Sequence, residues 1–135
     1  MTRAVWERFL AWSSVVLGGL LFVLESAYGL RYGETAAGLI IDYLAAGLLC
    51  YAGAQSLCRR PHGAAGLLFG AWSYALCDAY RAIHWRAVHY LGADAAEPIG
   101  EPLGVFMAIV AAGGLTVFFF GLSLALAHPR RAPIG

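Results

Sequence analysis

Apolar residues fill four stretches of the chain, roughly 9–30, 36–57, 63–80 (or on to 86) and 103–127, and the charged residues gather at their ends. At ~1.5 Å per helical residue each stretch reaches across a ~30 Å hydrocarbon core. The pattern predicts an all-α fold, a polytopic membrane protein of four transmembrane helices in an antiparallel bundle. These spans take up nearly all of residues 1–135, so one four-helix transmembrane domain is expected and no separate soluble one.

The end of the third stretch reads in two ways. In the favoured reading the helix stops near Tyr80, and residues 81–92, with Trp85 and Tyr90, form a short interfacial helix in the aromatic belt. In the other it runs straight on to Arg86, which draws Arg81 and His84 toward the core. The first keeps Arg81 and Arg86 near headgroups, where a charge is cheap. The opening stretch has features of a cleaved signal, with Arg3 and Arg8 before an apolar run and Ser26-Ala27-Tyr28-Gly29 beyond it. Its apolar run is too long for a signal core, and Glu25 and Tyr28 spoil the cleavage site, so it is read as a retained first helix.

Charge placement orients the bundle. Arginine pairs fall at Arg3/Arg8, Arg59/Arg60 and Arg130/Arg131, and the positive-inside rule puts these on the cytoplasmic side, with both termini inside. Cys58-Arg59-Arg60-Pro61-His62-Gly63 is expected to be a tight turn that makes the second and third helices antiparallel neighbours. The third connection, with Gly92, Pro98, Gly100 and Pro102, is the long one, and it carries Asp94, Glu97 and Glu101.

Composition supports this class. The chain is 61% hydrophobic and 13% charged, with a mean hydropathy of +0.69, too apolar for a small domain with a solvated surface. A net charge of +1, spread over edge pairs, excludes a continuous nucleic-acid-binding patch. All nine basic residues are Arg and there is no Lys, which reads as codon bias from a GC-rich genome and says little about function; the expected location is a bacterial cytoplasmic (inner) membrane.

Three carboxylates change the picture further. Glu25 lies 17 positions after Arg8, Asp42 lies 17 before Arg59, and Asp78 lies 18 after Arg60. On membrane helices they share one level, ~25 Å from the cytoplasmic edge. An ionisable group at such depth costs at least ~2.5–3.5 kcal/mol, so the level marks a functional site. Arg81, one turn beyond Asp78, is the nearest counter-ion; Tyr28, Tyr43 and His84 are placed to line the same pocket, with Gly113, Gly114 and Thr116 of the fourth helix opposite. Two uses are open: protons or a cation taken up by the acids, or an ion-pair network with Arg81 that fixes helix rotation.

Other chemistry is thinly represented. Asp78, His84 and His89 match no spacing for a metal motif, and none is assigned. His62 and His128 read as solvated edge residues, and Cys50, Cys58 and Cys77 as packing residues, not a disulfide framework. Gly66 and Gly70 form a small-residue pair, continued on the fourth helix by Gly121 and Ala125, that allows close helix approach. No nucleophile with an oriented base, phosphate loop or zinc helix is present, so an enzyme is not indicated and no cofactor is assigned. Beyond the lipid bilayer, the partners expected are a small-molecule or cation ligand and either a homo-oligomer or a larger membrane complex.

The run Asp42-Tyr43-Leu44-Ala45-Ala46-Gly47-Leu48-Leu49, followed by Gly53 and Arg59-Arg60, resembles DoxX-like small membrane proteins, in which an acidic residue opens a Gly- and Leu-rich second helix that ends in a basic turn. The likeness covers about a third of the chain. It implies a four-helix membrane protein and, by analogy with some relatives, an association with quinone-linked sulfur oxidation.

Overall fold

The computed structural model describes residues 2–58, 64–91 and 101–128. Among them are four α-helices and no strand: α1 (Arg3–Tyr32), α2 (Ala36–Cys58), α3 (Ala64–Leu91) and α4 (Leu103–Ala127). The turn at Arg59–Gly63, the connection 92–100 with Asp94 and Glu97, and the Arg130/Arg131 pair lie outside the described residues. α1, α2 and α4 are long and apolar enough to cross a membrane. The second half of α3 is more polar, carrying Asp78, Arg81, His84, Arg86 and His89.

Local chemistry sets the ends. α1 stops at Gly33, whose φ of 74° is a left-handed conformation that closes the helix with a bond to Gly29 O. Only Glu34 and Thr35 follow before α2, and the Thr35 hydroxyl accepts the Gly38 N–H at 3.2 Å, satisfying one of the free amides of the new helix. α1 and α2 are therefore antiparallel neighbours. They also approach closely: a Cβ on Gly53 would stand 2.6 Å from Ala11 O, and one on Gly18 would stand 2.8 Å from Ala46 O.

α3 corrects the favoured reading of its end. It runs unbroken from Ala64 to Leu91, with no separate helix over 81–92. The physical reason lies in sequence and partners together. No Gly or Pro interrupts residues 71–91, and Arg81 and Arg86, whose charges argued for a break, each find carboxylates inside the bundle. At ~1.5 Å per residue α3 is about 42 Å long, more than a hydrocarbon core requires.

The helices pack in cyclic order. α1 lies along α2, α2 against α3 and α3 against α4, while α2 and α4 face each other across a diagonal without touching. Leu10, Ala11, Leu49, Ala52, Leu68, Ala71, Trp72, Phe119 and Leu126 form the core, at the end of the bundle where α1 begins. Trp72 stacks on Phe119 with ring centres 4.8 Å apart. Its Nε1 donates to Ser14 Oγ at 2.9 Å, and that hydroxyl donates to Leu10 O at 2.8 Å, so each polar atom buried there is satisfied. Nearby, Arg3 pairs with Glu7 at 2.8 Å and donates to Leu126 O, tying α1 to the end of α4. Gly66, Gly70 and Gly121 have open space where a Cβ would be, so they do not mediate packing within this bundle.

Candidate functional site

The other end of the bundle collects the charges. Glu25 on α1 and Asp42 on α2 meet, as their equal depth predicts, and Glu34 from the short turn joins them. One carboxylate oxygen from each lies within 4.8 Å of the others. Glu34 reaches the group from the turn, its side chain folding back beside Gly38 in the first turn of α2. A Cβ at Gly38 would stand 2.6 Å from Glu34 Oε1, so only glycine leaves room for the carboxylate to fold back along α2. Glu34 Oε2 is shielded and has no hydrogen-bond partner among the described residues.

Arg81 meets this group from α3. Its Nη2 donates to Asp42 Oδ1 at 2.6 Å and to Asp78 Oδ1 at 3.0 Å, and its Nε donates to Asp78 Oδ1 at 3.1 Å. Asp42 and Asp78 keep only 5% and 10% side-chain exposure, whereas Arg81 keeps 43%. One guanidinium therefore links α2 to α3 with one edge still open. The charges do not cancel: Arg81 pairs with only Asp42 and Asp78, and the charge of Arg86, which also reaches Glu25, is already matched by Glu101. Two like charges 4.8 Å apart repel by about 3.5 kcal/mol at an effective dielectric of about 20. The N-terminus of α2 softens this at Glu34, but a helix end supplies only about half a charge.

A second network, which sequence reading did not assemble, sits farther along α3. Arg86 Nε donates to Glu101 Oε1 at 2.8 Å, and Tyr28 donates to Glu101 Oε2 at 2.6 Å. Arg86 also donates to Ala82 O at 3.1 Å and lies over the Tyr28 ring, 5.3 Å from its centre. Tyr90 donates to Glu101 O at 3.1 Å. One cation meets one carboxylate, both buried, with Glu101 fully enclosed. This arrangement pins the start of α4 to α1 and α3.

The remaining predicted residues disperse. Tyr28 serves Glu101 instead of the acid group. Tyr43 shares a hydrogen bond with Ser26 at 2.9 Å and packs on Phe22. His84 stacks on Tyr80, 5.7 Å between centres, and His89 packs on Trp85, both on the outer face of α3. With Arg81, Trp85 and Val88 they line an open groove of about 480 Å³, and among the described residues no group of metal ligands joins them to Asp78. On α4, Thr116 donates to Ala112 O of its own helix, and a Cβ at Gly113 would stand 2.5 Å from Ile83 Cδ1, so that space is filled by a side chain. Cys50, Cys58 and Cys77 are free.

Glu34 was the residue missed within the acid group. Its signal was Glu34-x3-Gly38-x3-Asp42, an acid in the turn before α2 followed by a residue without a side chain and then by the second acid. Arg86 and Glu101 had no such signal, because the connection 92–100 separates them in sequence. Comparison with family models, curated proteins and solved structures finds no match for this chain.

Proposed function

We propose that the protein is a four-helix membrane protein of a bacterial inner membrane, with both termini inside, that binds a small cation through Glu25, Glu34, Asp42 and Asp78. Arg81 is the counter-ion. The observation that carries this reading is the imbalance of charge: four neighbouring carboxylates, only two of them paired with Arg81, and three with oxygens within 4.8 Å of one another. Carboxylates in such surplus, Asp42 buried and the other three half-buried, are relieved of their repulsion by protons or a cation. The membrane setting draws support from the three long apolar helices and from an exterior bearing Val16, Leu20, Phe22, Met107, Val117 and Phe118, which matches hydrocarbon better than water. Movement of the ion across the bilayer, the more demanding form of this function, calls for a homo-oligomer, since one small bundle offers little for alternating access.

A second reading has its own observation. Arg81 joins Asp42 of α2 to Asp78 of α3, which suits a lock in an accessory subunit of a larger membrane complex. The likeness to DoxX-like proteins would make that complex a quinone-linked one. Asp42→Asn and Asp78→Asn separate the readings. In purified protein and in proteoliposomes, a cation-binding protein loses ion binding and uptake while its unfolding midpoint holds or rises. A lock loses stability or assembly, and wild-type behaviour in both variants defeats the cation reading.

A further inference from the structure

At the end of the bundle where α1 begins, Ala4, Val5, Arg8, Phe9 and Trp12 line an open groove of about 520 Å³. Its aromatic wall is held in place, because Phe9 stands between Trp6 and Phe119 with ring centres 5.9 and 6.1 Å away. Arg8 is the cation of this groove. Its neighbour Arg3 pairs with Glu7, whereas Arg8 is exposed and forms no ion pair among the described residues. Trp12 follows Arg8 by four residues, so the two side chains share one face of α1, ~6 Å apart along the axis. Beyond Trp12 that face continues with exposed Val16 and Leu20.

Given the membrane placement proposed above, and independently of the cation site, we propose that this groove seats an anionic phospholipid of the leaflet in which α1 begins. The phosphate lies on Arg8, the ester region beside Trp12, and an acyl chain along Val16 and Leu20. Depth supports this order. The polar layer on each side of a bilayer is about 5–8 Å thick, and the single helical turn from Arg8 to Trp12 crosses it. The chemistry follows the same order: a guanidinium donates to phosphate oxygens, an indole settles at the boundary with its N–H toward ester carbonyls, and aliphatic side chains meet hydrocarbon. Charge selects the headgroup. A singly negative headgroup neutralises Arg8, whereas a zwitterionic one brings an ammonium to the same place. A second copy of the chain fits this face less well, because docking about an axis along the membrane normal would set Arg8 against Arg8.

The test is tryptophan fluorescence of the full chain in neutral-detergent micelles, titrated with phosphatidylglycerol or phosphatidylcholine brominated in the acyl chains. Bromine quenches only the rings it approaches closely, so the part of the quenching that Trp12→Phe removes belongs to Trp12. In wild type, phosphatidylglycerol is expected to quench Trp12 at about fivefold lower lipid fraction than phosphatidylcholine, the effect of one basic residue facing an anionic lipid. Arg8→Gln should abolish that preference and leave quenching by phosphatidylcholine in place. Arg31→Gln, which removes an exposed arginine from the far end of α1, should retain the preference. Both arginines are exposed, so these variants are expected to fold. Equal quenching by the two lipids in wild type overturns the site. So does a preference that survives Arg8→Gln, or one that falls as far in Arg31→Gln, since charge elsewhere on the protein would then draw the lipid. If Trp12→Phe changes quenching by neither lipid while other tryptophans are quenched, lipid does not cover this face and the proposal fails. If neither lipid quenches any tryptophan, the membrane placement falls with it.

Discussion

Arg81 and Arg86 stand five residues apart on α3, yet they organise networks of opposite balance. Arg86 meets one carboxylate, Glu101, and Tyr28, Ala82 O and Tyr90 occupy the surrounding hydrogen-bonding positions. Arg81 meets two carboxylates and has two more beyond them, with an oxygen on Glu34 unpartnered among the described residues. A closed, neutral and buried network holds structure. The network at Arg81 lacks that closure, and on this difference the proposed cation binding rests.

The contrast can be broken or sharpened by substitution. The largest effect is expected at the lock: Glu101→Ala leaves Arg86 buried and unpaired and should cost about 3–5 kcal/mol, read as a lowered midpoint in detergent–denaturant unfolding. Replacing both partners, as in Arg86→Met with Glu101→Leu, should recover much of that loss, since apolar groups of similar volume need no counter-ion. A fall in ion binding from Glu101→Ala without loss of stability would erase the distinction between the networks.

Trp72→Ala tests the apolar end, far from either network. It should cost about 3–5 kcal/mol through the cavity left against Phe119 and Leu68, while ion binding by the protein that remains folded is unchanged. At the site itself the sign reverses. Glu34→Gln removes one of the mutually repelling charges, so stability should stay level or rise by about 1 kcal/mol on the scale of ordinary point changes, while ion binding falls sharply. Gly38→Ala should mimic it more weakly by pushing the Glu34 carboxylate aside, and a dialysis isotherm identical to wild type would show that Glu34 is no ligand. The smallest effect is expected at Arg3→Gln, where an exposed pair with Glu7 contributes about 0–1 kcal/mol.

Four helices and the shared level of Glu25 and Asp42 were legible in the order of residues, because apolar length and helical rise fix depth with no knowledge of neighbours. The same counting misjudged α3. Two arginines argued for an interfacial break, and only the fold shows that their charges are met by Asp42, Asp78 and Glu101, so the helix continues to Leu91. Tyr28 and His84 fell on plausible faces, but a face is not a contact. The rotation of α1 and α3 sent Tyr28 to Glu101 and His84 to Tyr80.

What the sequence determined by itself, then, was the set of helices and the height of each acid along them, quantities governed by local periodicity and hydrophobic length. Tertiary structure decided which charges meet. Arg81 chose Asp42 across 39 positions, Glu101 came to Tyr28 across 73, and Glu34 turned inward over the gap at Gly38. Such pairings depend on helix rotation and on returns from distant connections, and electrostatic energy at a few ångströms is settled only once those are in place.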